Sequence, residues 1–464
     1  MTDVVFIGPS LPADEVGRLL PDAVVLPPVA HGDLLRLDVV PGDRVLVVDG
    51  YFLQHPPVRH REILDLLDRG VTVAGAASMG ALRAAELWQF GMRGVGEVFA
   101  LYRDGVVTGD DEVAVVHGPA EEGHRTLSEP LVNIRVALRR AVAADVLDAA
   151  EAALLLDIAR ELPFRRRSYL ALERTAPPEA TAVVDRFLTW RRRAPWDAKS
   201  ADARLLLSMA ADDAPELCPA HAGDQPIDNL HTRFLDSWRA RFAGQPVGGH
   251  WVSDRDAAAV LMLLHPEAPA WHRRGVLGGL AEVDVTDPAV EERAHEVARR
   301  RGLTGATPAG WDWLTDRERD LDDREAVLRV LVRAFGTTPY RSLALWMVAA
   351  PLRTAAMLAA ARQVAATAAS LNDTVVPRTN RRRPGGRLHF RTEVVDGCFA
   401  RLWGCAADEL EAAAWDRGFV DLASFRYAAE PLVAYVKAFG APRLPAVAGP
   451  AQESTLAGSA ARVG

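Results

Sequence analysis

The sequence predicts an α/β core at the N-terminus with a short parallel sheet, followed by a mostly α-helical extension. Two observations lead to this fold class. Four short apolar runs alternate with helical segments in the first 80 residues. Beyond residue 136 the sequence changes to long segments rich in Ala, Leu and Arg. Apolar strands that alternate with helices are typical of a parallel sheet covered on both faces. The runs are VVFIG at 4–8, AVVL at 23–26, RVLVVDG at 44–50 and VTVAG at 71–75.

The chain divides into three predicted segments. Residues 1–135 form the α/β core, residues 136–440 the mainly helical extension, and residues 441–464 a tail with almost no large apolar residues, which we expect to be disordered. The clearest helix of the core is PVRHREILDLLDRG at 57–70, with apolar residues at helical spacing and Gly70 as its C-terminal stop.

Composition excludes several functional classes. A net charge of −8 argues against a general nucleic-acid binder, whose phosphate contacts need a basic surface. The most apolar late run is interrupted by Pro351 and Arg353, so we expect no membrane span. Three cysteines and a first segment without basic residues predict a cytoplasmic protein in a reducing compartment.

The loops after the four runs collect small, turn-forming and reactive residues. They carry Gly8-Pro9-Ser10, Pro27-Pro28, Asp49-Gly50 and Ala76-Ala77-Ser78. Ligands of parallel sheets bind at the carboxyl ends of the strands, so these loops predict a site. The alternative is that such loops need glycine and proline for their turns alone.

Ser78 lies at a predicted strand–turn–helix junction. The text AASMG at 76–80 differs by one methyl group from the nucleophile-elbow pattern G-x-S-x-G, in which a serine is exposed on a sharp turn. Two other interpretations stay open. Ser78 can be an ordinary N-cap serine, or the helix N-terminus can bind an anion such as phosphate.

A serine nucleophile needs a base. Among the histidines near in sequence, His60 begins a helix beside the predicted site. For Asp49, the alternative to a site role is a turn cap for Gly50. The local candidates for base and carboxylate are His55, His60, His117, His124, Glu62, Glu112 and Glu129.

We predict no metal and no cofactor. Asp110-Asp111-Glu112 with His117 offers ligand types for a metal, but the spacing is a poor helical match. The segment CPAH at 218–221 with His231 lacks a second cysteine pair. A nucleotide-binding module would need a phosphate loop, and GAASMG has no P-loop lysine.

Together with these residues, the N-terminal sequence resembles the TfuA-like core over about 130 residues. Seven pieces occur in order and nearly without gaps, which makes the match specific. They are FIGPSL at 6–11, PP at 27–28 with GD at 32–33, VVDGYF at 47–52, PVRHREIL at 57–64, VAGAASMGALRAAELWQFGMRGVGEVF at 73–99, DDEVAVVH at 110–117 and LSEPLVNIR at 127–135.

The resemblance implies a partner of YcaO proteins in peptide backbone thioamidation. In that role the protein hydrolyses a thiocarboxylated, ThiS-like sulfur-carrier protein to supply sulfide, and it assists YcaO with its precursor peptide. The activity would be that of a serine-type thiocarboxylate hydrolase. The alternative is a non-catalytic adaptor that docks YcaO and the precursor peptide. Neither requires nucleic acid or a membrane.

The resemblance also implies a site with a serine and a lysine. Ser78 carries over as the nucleophile, with the Met79 N–H in the oxyanion site. Where the family often reads H-K-E-I-L, this chain has His60-Arg61, and an arginine does not deprotonate in proteins. Either His60 is the base, Arg61 only binds the thiocarboxylate, or hydrolysis is weak.

Four further residues are predicted to bind substrate at the cleft: Ser10, Asp49, Gly80 and Arg83. The two lysines of the chain, Lys199 and Lys437, lie outside the resembling core.

Overall fold

The computed structural model describes residues 1–52, 55–217, 223–228, 230, 232–303, 312–379 and 390–447. The chain forms two compact units, Met1–His231 and Thr232–Gly464. The first unit extends well past residue 135, where the sequence analysis placed the end of the α/β core. Of the predicted tail, residues 448–464 lie outside the described residues.

A five-stranded parallel sheet forms the centre of the first unit, in the order β2-β1-β3-β4-β5. The four predicted runs are confirmed as strands, and a fifth strand follows them that the sequence analysis did not predict. Its three residues, RGV, carry only one β-branched side chain. The bounds are β1 Asp3–Phe6, β2 Val24–Leu26, β3 Arg44–Val47, β4 Thr72–Ala76 and β5 Arg93–Val95.

Nine α-helices occur in the described part of the first unit. The predicted core helix is confirmed as α2, and Gly70 follows it with φ +78°, a conformation that favours glycine. The bounds are α1 Ala13–Leu19, α2 His60–Asp68, α3 Met79–Leu87, α4 Glu97–Arg103, α5 Leu131–Ala143, α6 Ala149–Glu161, α7 Tyr169–Thr175, α8 Thr181–Arg193 and α9 Ala198–Ala211.

Helices cover both faces of the sheet, as the apolar strands predict. On one face α2, α3 and α4 bury Ile63, Ala84 and Val98 against the strands. On the other face α1 and α9 bury Val16 and Leu206. Helix α9 is therefore part of the layer that completes the α/β fold, although it lies 120 residues beyond β4 in sequence.

The second unit is mostly helical, with one antiparallel hairpin, and its core includes Phe399, Phe419 and Phe425. This confirms the predicted fold class. Within the described residues, no helix has the length and apolar character needed to cross a membrane. The bounds are α10 Arg233–Phe242, β6 Gly244–Val247, β7 His250–Ser253, α11 Asp254–Leu264, α12 Ala268–Ala281, α13 Val290–Arg300, α14 Asp323–Gly336, α15 Ala355–Thr379, α16 Thr392–Trp403, α17 Leu410–Trp415, α18 Leu422–Ala429 and α19 Val433–Phe439.

Candidate functional site

A cavity of about 300 Å³ lies in the first unit at the carboxyl ends of the strands. It is close to the point between β1 and β3 where the strand order reverses, which is where ligands of such sheets bind. Its walls include Ser78 and Asp49, two of the predicted site residues. The lining residues are Pro9, Pro28, Asp49, Gly50, Tyr51, Phe52, Ser78, Met79, Leu82, Asp110, Val113, Ala114, Val115, Val116, His117, Phe164 and Arg165.

Ser78 lies on a tight turn between β4 and α3. Its N–H donates to the carbonyl of Ala76 over 2.8 Å, and Ala77 between them has φ +67°. Such three-residue turns with positive φ are rare and strained for a residue other than glycine. The turn therefore resembles the strained junction that presents a nucleophile in hydrolases with an elbow.

The Ser78 hydroxyl does not cap the helix. Its side chain is 7% exposed and makes no capping hydrogen bond, so the ordinary N-cap interpretation does not describe this serine. Among the described residues, no hydrogen-bond partner holds Oγ. The hydroxyl is therefore available to a molecule in the cavity.

The helix N-terminus next to Ser78 offers the Met79 N–H for an oxyanion. The N–H of Gly80 donates to Val48 O at 3.2 Å and that of Leu82 to Ser78 O at 3.2 Å. No acceptor for the N–H of Met79 occurs in the part of the chain that the structure describes. The Met79 N–H is thus a free donor beside Ser78, whereas the Gly80 amide is already used; the oxyanion role of Met79 stays a prediction.

Asp49 is a buried carboxylate at the end of β3. Its Oδ2 accepts from the N–H groups of Gly8 and Ser10, at 3.0 and 2.9 Å. Its Oδ1 accepts from the Ser10 hydroxyl at 2.7 Å. These bonds fix the loop after β1 against the loop after β3, so Ser10 supports the part of the cavity wall to which Asp49 belongs.

Lys199 approaches the same carboxylate from α9. Its Nζ lies 3.9 Å from Asp49 Oδ1 and donates to Val113 O at 3.1 Å. Since Asp49 and Val113 both line the cavity, the ammonium group lies directly behind its wall. Burial lowers the pKa of Lys199, against the opposing effect of the Asp49 charge.

Packing places Lys199 at the same edge of the sheet as Ser78. Helix α9 packs on β4, and Ala203 belongs to the same apolar cluster as Ala76 and Ala77. Residue 199 precedes Ala203 by four positions and therefore lies on the same face, one turn towards the helix N-terminus. Ser78 directly follows Ala77, so Lys199 and Ser78 both lie towards the carboxyl end of β4.

Asn133 fixes the start of α9. Its Oδ1 accepts from the N–H groups of Ala198 and Lys199, at 3.0 and 3.3 Å, and its Nδ2 donates to Glu129 Oε1 at 2.9 Å. Burial raises the pKa of Glu129. The segment LSEPLVNIR thus holds the backbone of the helix that carries the lysine.

His117 lines the cavity opposite the strand ends. Its ring lies 6.1 Å from that of Tyr51 and 5.2 Å from that of His124, measured between centroids. The Nδ1 atom of His117 lies 2.8 Å from the carbonyl oxygen of Gly118. Of the four histidines considered from the sequence, this one shares the cavity with Ser78.

His60, Arg61 and Arg83 are placed elsewhere in the first unit. His60 Nε2 bonds Glu86 Oε2 at 2.8 Å, and Arg61 donates to Leu230 O at 3.1 Å. Arg83 donates to Val58 O and Glu86. None of the three is among the described residues that line the cavity. Their predicted roles stay predictions.

Lys199 is the residue that sequence reasoning missed. Its distance from the predicted site in the chain hid it, because only the docking of α9 on the sheet brings the lysine to Asp49 in the cavity wall. One signal was present: Lys199 is the only lysine in residues 1–231, in a chain that otherwise uses arginine. Because arginine cannot serve as a base, a single lysine in a unit so rich in arginine is a signal of a catalytic role.

No metal centre is evident in the described residues, where no three His, Cys, Asp or Glu side chains are grouped to hold an ion. Cys218, His221 and His231, which the sequence analysis considered for zinc, lie outside the described residues.

Fold and cavity together define a parallel α/β protein with a serine presented at a strand–helix turn. Residues 49–168 match the family model described as TfuA-like protein, which confirms the resemblance: the chain contains a TfuA-like domain. The matched range includes Asp49, Ser78, His117 and Asn133, while Lys199 follows it. A search of the curated proteins gives no match. The TfuA-like domain supports a role in the YcaO-associated thioamidation system.

Proposed function

We propose that this protein hydrolyses a thiocarboxylated, ThiS-like sulfur-carrier protein and so supplies sulfide to YcaO, which it also assists with the precursor peptide. One observation carries the proposal. Ser78 lies on a strained turn, and its hydroxyl has no hydrogen-bond partner among the described residues. It shares a cavity wall with Asp49, and the sole lysine of the first unit lies behind that wall.

The first half of the reaction transfers the acyl group to the enzyme. Ser78 Oγ attacks the thiocarboxylate carbonyl and gives its proton to the neutral Nζ of Lys199. The Met79 N–H stabilises the developing oxyanion. The C–S bond then breaks, and Lys199 returns the proton to sulfur, which leaves as hydrosulfide. A Ser78 ester of the carrier remains.

Lys199 suits this role better than His60 does. A lysine must be neutral to accept a proton, and the lowered pKa that burial gives Lys199 increases the neutral fraction near pH 7. His60 is half-exposed and bonded to Glu86, which lies eight residues after Ser78 on α3. At 1.5 Å per residue, that is about 12 Å along the helix axis.

The cavity has walls that suit an extended protein tail. Its lining is mostly apolar, and part of it comes from loops at the strand ends, with Pro9, Pro28 and Phe52 among them. A flexible C-terminal tail can therefore enter and bring its last carbonyl to Ser78, whereas the folded carrier stays outside.

The test is sulfide release from a thiocarboxylated carrier protein. We expect Ser78→Ala to abolish release, and Lys199→Met to lower it about 100- to 10,000-fold, the usual contribution of a positioned base. Lys437→Met removes the other, exposed lysine and should leave the rate unchanged. Loss of release in His60→Ala but not in Lys199→Met would assign the base to His60.

The alternative, a non-catalytic adaptor, gives a different result. An adaptor releases no sulfide from the carrier, and its Ser78→Ala variant still supports thioamidation by YcaO when sulfide is added. Absence of release by the wild-type protein, under conditions where thioamidation proceeds with added sulfide, would overturn the hydrolase proposal.

A further inference from the structure

We propose that His117 is a second catalytic base, which activates the water that hydrolyses the Ser78 ester. This inference rests on the proposed hydrolase function and concerns its second half. After hydrosulfide leaves, the ester carbonyl at Ser78 must be attacked by water. Water reaches that carbonyl from the open space of the cavity, and His117 is a wall of that space.

Lys199 is badly placed for this second step. It is 3% exposed, lies behind Asp49 and Val113, and is not among the described residues that line the cavity. One of its hydrogens is committed to Val113 O. Lys199 serves Ser78 Oγ from behind the wall, whereas the attacking water approaches the ester carbonyl from the open side of the cavity, which His117 lines.

The backbone around His117 is held in place. His117 forms a bridge with Thr126, and the N–H of Gly118 donates to Arg125 O at 2.9 Å. On the other side, the Val116 N–H donates to the Ser128 hydroxyl at 2.8 Å. The ring is thus carried by a fixed segment, as a catalytic group requires.

The hydrogen bond of the ring sets its tautomer. Since a carbonyl oxygen can only accept, the 2.8 Å contact between Nδ1 and Gly118 O requires the proton on Nδ1. Neutral His117 then has its lone pair on Nε2, the form needed to accept a proton from water. The carbonyl group of Gly118 orients the imidazole ring, as a carboxylate does in a catalytic triad.

Two aromatic rings face His117, and no ion pair of its ring occurs among the residues that the structure describes. Tyr51 and His124 face it, and Asp110 lies elsewhere in the cavity wall. Burial lowers the pKa of His124 and raises that of Tyr51, so both neighbours favour their neutral forms. His117 therefore lies beside two uncharged aromatic rings, those of Tyr51 and His124, at the cavity.

Atoms and protons balance in the proposed hydrolysis of the Ser78 ester. Water oxygen forms a bond to the ester carbon while His117 Nε2 takes one water proton. The bond between carbon and Ser78 Oγ then breaks, and the proton passes to Oγ. The products are the carrier carboxylate, after loss of its acidic proton to solvent, and the free Ser78 hydroxyl.

Pre-steady-state sulfide release tests the assignment. With thiocarboxylated carrier in excess, His117→Gln should release about one equivalent of sulfide per enzyme and then turn over at least about 100-fold more slowly than wild type. Mass spectrometry should show the carrier joined to the variant as an ester. His55→Ala is the matched control, because His55 contacts Tyr51 but is not a lining residue.

Hydroxylamine separates a lost base from a misfolded protein. It cleaves esters without a catalytic base, so it should restore turnover of His117→Gln and leave Ser78→Ala inactive. Steady-state release by His117→Gln within about twofold of wild type would overturn the inference. So would a loss of release without the first equivalent of sulfide and without rescue. Failure of the hydrolase proposal itself differs, because wild type then releases no sulfide at all.

Discussion

Two glycines determine how closely α3 approaches the sheet. A Cβ at Gly80 would lie 1.7 Å from the carbonyl oxygen of Val47, and one at Gly75 would lie 2.1 Å from that of Gly80. Real side chains cannot occupy these positions without moving the helix. The approach places the first turn of α3, with Ser78 and the Met79 N–H, directly above the end of β4.

We predict that Gly80→Ala strongly destabilises the first unit. The added methyl group meets backbone on β3, which cannot rotate away, and overpacking of this kind costs about 1–3 kcal/mol or more. Urea unfolding of the full chain measures the change. Gly17→Ala in α1 is the control: nothing lies within 4 Å of its Cβ, so it should stabilise by about 0.5–1 kcal/mol. Equal unfolding midpoints for both variants would refute the close approach.

At the scale of elements, α9 joins distant parts of the first unit at the site. The Ser200 hydroxyl donates to Ser10 O at 2.6 Å, and the Asp202 carboxylate accepts from the N–H groups of Glu97 and Val98. Asn133 holds the start of the helix. Helix α9 therefore connects the loop after β1, the start of α4 and the first turn of α5.

Removing the anchor of α9 should impair catalysis more than stability. Asn133→Ala leaves the N–H groups of Ala198 and Lys199 without their acceptor, which costs about 1–2 kcal/mol in unfolding free energy, and it frees Lys199 to shift. We expect sulfide release to fall at least about tenfold. Asp148→Ala removes a comparable cap from α6 and should lower stability without lowering release. Equal effects of both variants on release would contradict a positioning role.

At the scale of the whole molecule, the second unit is held by a buried arginine. Arg333 is fully buried and donates to Glu318, to Asp416 at 2.7 Å and to Trp313 O at 2.6 Å. Burial alone would raise the pKa of Glu318, but the bonds from Arg333, the Thr315 N–H and Arg329, with the charge of Arg333, together outweigh it and lower the pKa to about 2. The Arg333–Glu318 pair links α14 to the short helical turn Asp316–Asp320 that precedes it.

The lowered pKa of Glu318 predicts acid-sensitive stability. Ionised Glu318 stabilises the folded unit fully above its ordinary pKa of 4.5, and this contribution is lost as the pH falls towards 2. Glu318→Gln should therefore lower the free energy of unfolding by about 1–3 kcal/mol at pH 7, and the difference should shrink below pH 4.5. Urea unfolding at pH 7, 4 and 3 measures it. Asp316→Asn, at an exposed position, should give a small difference that does not change with pH.

Much of the fold could be predicted from local patterns. Three features depend only on residues that are neighbours in the chain. They are the four β-branched runs, the helix ending at Gly70 and the change to helical sequence after residue 136. Strand β5 was missed because RGV has little strand preference of its own. It pairs with β4 because the turn after α3 returns the chain to the open edge of the sheet.

The candidate site was predictable only in part, for the same reason. The text AASMG was enough to predict a serine at a strand–helix turn, since small residues on both sides are a local requirement. It could not show that Ala77 adopts positive φ or that the hydroxyl stays uncapped. His60 looked close to the site because it begins a helix there, but its bond to Glu86 depends on how α2 packs beside α3.

The sequence by itself determined the fold class, the place of Ser78 and the TfuA-like resemblance, because each follows from residues adjacent in the chain. Only the tertiary structure brought Lys199 to Asp49 and placed His117 on the cavity wall. The reason is physical: strand ends gather residues that are far apart in sequence, and a helix docked across them adds a residue that no local spacing indicates. Burial then lowers the pKa of Lys199, which depends on the assembled surroundings and not on the lysine's neighbours in the chain.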